Sequence, residues 1–146
     1  MPDMKILVLT ENDACCGPMV AAFLRDYSPF NEVVSAGINP SETIDPMAVI
    51  VMKECLIDLD GYVPQDVKTI NVLDFDRVYE CPDLPVPATM EEYRTMRDYI
   101  KNETYLFFRG LWFFFGAQII SAATLWQPYN SKLLNYSKLY TLNSQL

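Results

Sequence analysis

Residues 5–24 read KILVLTENDACCGPMVAAFL, and the change of pattern halfway along this stretch decides the fold. The first six residues, KILVLT, are a short continuous apolar run of the kind a parallel strand covered on both faces requires. Residues 11–18 interrupt it with polar and turn-forming side chains. Met19, Val20, Ala22, Phe23 and Leu24 then fall on one helical stripe ending near Tyr27, and Pro18 suits the first turn of that helix. A buried strand running through a loop into an amphipathic helix opens a βαβ unit, with residues 5–10 as its central strand.

The alternation continues downstream. Residues 32–36 (EVVSA) predict a second strand stopped by Gly37, and the loop 39–43 leads to a helix predicted over 45–57. Asp45 is its N-cap, Pro46 its first helical residue, and Met47, Val49, Ile50, Met52 and Leu56 its broad apolar face. A short helix over 67–73 and a third strand over 75–80 (FDRVYE) follow. Pro82, Pro85 and Pro87 forbid regular structure before a last helix that starts at Met90 and carries Tyr93, Met96, Tyr99 and Ile100 at helical spacing. Only about ten residues separate Glu80 from Met90, too few for another parallel crossover. The expected fold is therefore three-layer α/β/α around a short parallel sheet of order 2-1-3. Ligands in such sheets sit beyond the carboxyl ends of the strands, here at residues 10–17, 36–43 and 80–87.

Composition removes several chemistries. The 146 residues contain no histidine, which excludes an imidazole base, a Ser-His-Asp triad and any His-containing zinc site. A net charge of −8 repels phosphate backbones, so nucleic acid is not an expected partner. Four cysteines and a polar Met1-Pro2-Asp3 start without a signal peptide point to a reducing cytoplasm. Cys15 and Cys16 are adjacent, too close for an ordinary bridge.

Residues 6–24, 34–38 (VSAGI), 45–61 (DPMAVIVMKECLIDLDG), 75–78 (FDRV) and 91–100 (EEYRTMRDYI) together resemble the low-molecular-weight protein tyrosine phosphatases and the related thiol arsenate reductases. The segments fall in the family's order over roughly the first 104 residues. The resemblance implies a strand-end nucleophilic cysteine, five loop residues, and then an arginine and a serine or threonine. Loop amides and a helix N-terminus cradle the oxyanion and lower the thiol pKa, while the arginine clamps two oxygens. This chain places Thr10 at the nucleophile, Cys16 at the arginine and Gly17 at the hydroxyl residue, with Glu11, Asn12, Asp13, Ala14 and Cys15 between. No other cysteine has an arginine six residues later. Glu11 and Asp13 are expected to bring two carboxylates into the cradle and to disfavour even non-catalytic phosphate binding. The family's general acid, an aspartate in an Asp-Pro pair after a fourth parallel strand, has no clear counterpart; Asp83, followed by leucine, is the nearest carboxylate.

The expected function is that of a pseudo-phosphatase retained for binding or regulation, with a phosphoprotein or small oxyanion as the ligand class the family implies. One alternative is an active phosphatase or arsenate reductase working through Cys15 or Cys16. Thr10 as a hydroxyl nucleophile lacks a visible base. Cys15, beside Cys16 and near Cys81 across the sheet edge, would support thiol exchange, since the reductase relatives use cysteines after the third strand. Glu11, Asp13 and Asp83 are carboxylates for a divalent cation only in principle, so no metal and no cofactor is predicted.

The chain divides chemically at Tyr105. Residues 1–104, the phosphatase-like domain, hold all 19 acids and eight of the 11 bases, a balance of −11; residues 105–146, an apolar extension predicted helical, sum to +3. Residues 111–126 are uncharged but marginal for a bilayer unless 105–108 are added, which buries Arg109. Packing on the sheet surface, or on the same surface of a second copy as a homodimer, is the favoured expectation. A membrane-attached or self-associating module through residues 105–126 is the rival, and the abrupt loss of acids also fits a separate origin for this end.

Overall fold

The computed structural model describes residues 4–81 and 84–115, with side chains through residue 110. Asp83 and residues 116–126 of the apolar extension therefore lie outside the described residues. Three parallel strands, β1 (Lys5–Thr10), β2 (Glu32–Gly37) and β3 (Arg77–Glu80), form a sheet of order β2-β1-β3. Lys5 stands opposite Glu32 and Thr10 opposite Gly37 on one side, while Ile6 to Leu9 pair with Arg77 to Glu80 on the other. The central position of the apolar run 5–10 and the order 2-1-3 are as the sequence requires.

Alternation along β1 divides the core. Ile6 and Val8 join Met19, Phe23 and Leu24 of α1 (Cys16–Tyr27), Val51 and Met52 of α2 (Pro46–Lys53), and Ile100 and Phe107 of α3 (Met90–Phe115). Leu7 and Leu9 face the opposite way, into a smaller cluster with Ala36, Val67, Val72 and Val78. That second face is covered by two single turns of 3₁₀ helix, Val67–Thr69 and Val72–Asp74, where a helix over 67–73 was expected. The physical reason is side-chain capping. Asp66 accepts from the Lys68 N–H and Asn71 from the Leu73 N–H, so each turn is started anew by an Asx cap. Phe75 caps the second turn, which is why β3 begins at Arg77 and not at 75.

Helix α2 also stops earlier than its apolar stripe suggests. The Ile57 N–H reaches the Met52 carbonyl at 3.1 Å and the Leu56 N–H the Lys53 carbonyl at 3.0 Å, the paired bonds of a Schellman termination. Leu56 takes the left-handed position, φ 62°, where glycine is the usual residue, and its side chain is 96% exposed. At the other end the Asp45 Oδ1 accepts from the Met47 N–H at 2.9 Å, the expected cap.

A capping box starts α3: Thr89 Oγ1 accepts from the Glu92 N–H and Glu92 Oε2 from the Thr89 N–H. The helix continues through residue 105 to Phe115. Within that continuation Phe107 is buried edge-on against Tyr79 of β3, with centroids 4.8 Å apart, and Tyr105 and Phe108 both meet Tyr27 at the end of α1. Among the described residues no helix is long and apolar enough to cross a membrane.

Candidate functional site

A cleft of about 490 Å³ opens at the carboxyl ends of β1 and β3. Thr10, Glu11, Asn12, Ala14, Cys15 and Cys16 line one wall. Asp45 at the start of α2, Tyr93 and Met96 on α3, Cys81 just beyond β3, and residues 84–87 complete it. Six of the eight loop residues singled out by the sequence are thus gathered at one site, together with Cys81. Asp13 and Gly17 lie beneath it.

The loop is held by its carbonyls. Those of Thr10, Glu11, Asn12 and Ala14 accept from the N–H groups of Ile38, Asn39, Ser41 and Asp45 at 2.7–3.0 Å, so the connection between β2 and α2 clamps the loop from outside. Gly37 makes this approach possible, because a Cβ there would stand 3.0 Å from Asn12 C and Asp13 N. The amides are used from within. Thr10 Oγ1 accepts from the Asp13 N–H at 2.9 Å and Asn12 Oδ1 from the Ala14 N–H at 3.2 Å.

Of the two carboxylates expected in the cradle, Asp13 points away from it, while Glu11 stays on the cleft wall. Asp13 adopts φ 51°, and this left-handed turn sends its fully buried carboxylate under the loop. There Oδ1 accepts from the Ser35 hydroxyl, and Oδ2 from the Tyr62 hydroxyl and the Gln65 N–H. Glu11 is exposed and accepts from Asn39 Nδ2 at 2.7 Å. Asp13, Ser35 and Thr10 also crowd Gly17: a Cβ there would lie 2.8 Å from Ser35 Oγ and 3.0 Å from Asp13 Oδ1 and Thr10 Oγ1. Glycine at this position is a packing requirement. With the carboxylates apart, no group of three or more Cys, Asp or Glu among the described residues is placed to hold a metal.

Asp45 is a second carboxylate at the cleft. One oxygen caps α2 and the other accepts from the Tyr93 hydroxyl at 2.7 Å. That bond, with burial and the Asp45 charge, pushes the Tyr93 phenol up to about 12. Burial first, then the charge of Asp45 and the neighbouring Cys16, pushes the Cys15 thiol up to about 12. Cys16 is the first residue of α1 and half-buried. No lysine or arginine lines the cleft among the described residues.

The sequence identified Asp45 only as a helix cap and Tyr93 only as part of a helical stripe; nothing in their spacing showed that they would meet at the loop. Tyr62, Ser35 and Gln65 carried no signal, since each acts through a contact with the reversed Asp13 side chain.

The family model for low molecular weight phosphotyrosine protein phosphatase matches residues 5–105. The fold is similar to that of an arsenate reductase in its phosphate-binding state, with TM-score 0.65 and 22% identity over 70% of this chain and 94% of that one. It is similar also to YwlE arginine phosphatase from Geobacillus stearothermophilus (TM-score 0.61, 21% identity, 69% and 88% covered). Vibrio vulnificus Wzb in complex with benzylphosphonate gives TM-score 0.62 at 19% identity, with 71% and 96% covered. No curated protein matches significantly.

Proposed function

The chain belongs to the low molecular weight phosphotyrosine protein phosphatase family, and from that premise we propose that it is a pseudo-phosphatase with a binding or regulatory role, one that does not turn over phosphate esters. One observation carries the reading. Oxygens of the loop's own side chains, Thr10 Oγ1 and Asn12 Oδ1, already occupy the amides of Asp13 and Ala14 that a bound oxyanion would need. Thr10 serves as a structural acceptor where a thiolate would attack, and no guanidinium lines the cleft among the described residues. Cys15 supplies no substitute, because burial and the charge of Asp45 push its thiol up to about 12 and keep it protonated at neutral pH. The free thiols of Cys15, Cys16 and Cys55 support a reducing compartment such as the cytoplasm.

A second reading rests on Cys16, half-buried in the cleft as the first residue of α1. An active phosphatase or thiol reductase would work through it.

The test is phosphate release from an aryl phosphate at mildly acidic pH. The wild type is expected at background, and the double change Thr10→Cys with Cys16→Arg to recover little. Gly17 leaves no room for the missing hydroxyl side chain, and a positioned acid, typically worth ~10²–10⁴-fold, is still absent. Wild-type turnover that disappears with Cys16→Ser overturns the proposal and makes Cys16 the nucleophile.

A further inference from the structure

The cleft at the loop carries negative charge that nothing beside it cancels. Glu11 and Asp45 stand on its wall, and no lysine or arginine lines it among the described residues. Both carboxylates are hydrogen-bonded, but by neutral donors: Asn39 Nδ2 to Glu11, and the Met47 N–H and Tyr93 hydroxyl to Asp45. Such bonds orient a carboxylate and leave its charge in place. Glu32, Glu54, Asp60, Glu91 and Asp98 differ, since each is paired with a lysine or an arginine, whereas neither Glu11 nor Asp45 enters an ion pair among the described residues. Two groups on different elements register the resulting field. Tyr93 on α3 is raised by its bond to Asp45, then by burial and the Asp45 charge, and Cys15 on the loop by burial and then by Asp45. No cation pulls either group back.

An anion is disfavoured here twice over. Thr10 and Asn12 occupy the Asp13 and Ala14 amides, and the two carboxylates repel a phosphate. A cation meets the reverse field. The remaining wall is apolar: Leu84, Val86 and Met96 line the cleft and also a gap of about 390 Å³ that continues from it along Thr95 and Tyr99 of α3. Carboxylates beside an apolar channel match a ligand that is charged at its tip and apolar along its stem. A bare metal ion is the poorer match, because no group of three or more Cys, Asp or Glu among the described residues is placed to hold one.

We propose that the cleft takes a lysine or arginine side chain presented by a partner protein, with Asp45 and Glu11 as its counter-charges and its methylene stem against Leu84, Val86 and Met96. This rests on the pseudo-phosphatase reading and specifies its binding role: the family's ligand end is kept as a cavity, with the charge it selects reversed.

The test follows the amides of residues 11–16 and 93 in the ¹⁵N-labelled full chain at low ionic strength. Its probes are N-acetyl-lysine methylamide, the arginine counterpart, neutral N-acetyl-norleucine methylamide, n-butylammonium and inorganic phosphate. Saturable shifts are expected with the lysine or arginine probe and not with norleucine. Asp45→Asn, which keeps a good helix cap, should weaken that binding by about tenfold, and Glu11→Gln should weaken it as well. Glu32→Gln, the same charge change at the amino end of β2, should leave it unaltered. Thermal melts check that each variant folds, and Glu11→Gln keeps the test decisive if Asp45→Asn does not. Norleucine binding as well as lysine, binding that both cleft variants leave intact, or phosphate shifting the same amides more than either cation overturns the proposal. Binding of n-butylammonium but of neither blocked amino acid overturns the assignment to a protein side chain. No cation binding while aryl phosphate hydrolysis stays at background defeats this proposal alone; hydrolysis above background defeats the pseudo-phosphatase reading beneath it.

Discussion

Replacing Asp13 separates the structural role of the loop from any chemical one. Its buried carboxylate accepts from the Ser35 hydroxyl, the Tyr62 hydroxyl and the Gln65 N–H. Asp13→Ala leaves these donors facing an empty pocket. Tyr62 keeps a fallback in the Ser35 carbonyl at 3.2 Å, so two donors are stranded, each at about 1–3 kcal/mol. Alanine at φ 51° adds about 1 kcal/mol of backbone strain. The total, about 3–7 kcal/mol, is a large share of a typical 5–15 kcal/mol stability. Asp13→Asn behaves differently. Its carbonyl oxygen replaces Oδ2 toward Tyr62 and Gln65, its amide donates to a rotated Ser35 hydroxyl, and asparagine tolerates the left-handed backbone. The asparagine variant should cost less than about 1.5 kcal/mol. Urea unfolding followed by circular dichroism measures both. An alanine variant within 1 kcal/mol of wild type, or an asparagine variant as unstable as the alanine one, refutes this account of the loop.

Leu56→Gly should stabilise the protein by up to about 1 kcal/mol, because glycine relieves the left-handed strain at a side chain that packs on nothing; a lowered urea midpoint counts against it. Hydrogen bonds from Arg94 and then Arg97 hold Glu54 down to about 2, from an ordinary 4.5. A depressed carboxylate contributes stability that is complete above 4.5 and lost as pH falls toward 2, so Glu54→Gln should flatten the acid limb of the melting curve in that window alone. The raised Cys15 thiol has the opposite sign: its contribution is complete below the ordinary value of 9.0 and lost as pH climbs toward 12. In the folded protein at pH 8, mass spectrometry should therefore find Cys15 alkylated by iodoacetamide far more slowly than in urea, and equal rates would contradict the burial argument.

The strands and the order of the sheet were legible because burial on both faces leaves an uninterrupted apolar run, and residues 5–10 have nothing else to be. The start of α2 was legible for a local reason, the Asp45 and Pro46 pair. Its end was not. Leucine at 56 continues the apolar stripe by chemistry while its backbone has already left the helix, and no glycine marks the change. The loop was legible as a place but not as an arrangement: residues 10–17 gather where expected, yet the sign of one φ at Asp13 decides whether its charge faces ligand or core. Such a choice depends on Ser35, Tyr62 and Gln65, which are remote in sequence and meet only in the fold.

Helix α3 ties two distant parts of the molecule to one rigid axis. Phe107 is wedged against Tyr79, and Tyr93, 14 residues earlier and about 21 Å away along the axis, holds Asp45 across the cleft. Such a rod acts as a lever. A tilt of about 5° about Phe107 would carry Tyr93 through about 2 Å, enough to break a 2.7 Å hydrogen bond. The width of the cleft is thus set as much by how squarely the far end of α3 sits on the sheet as by anything at the cleft itself.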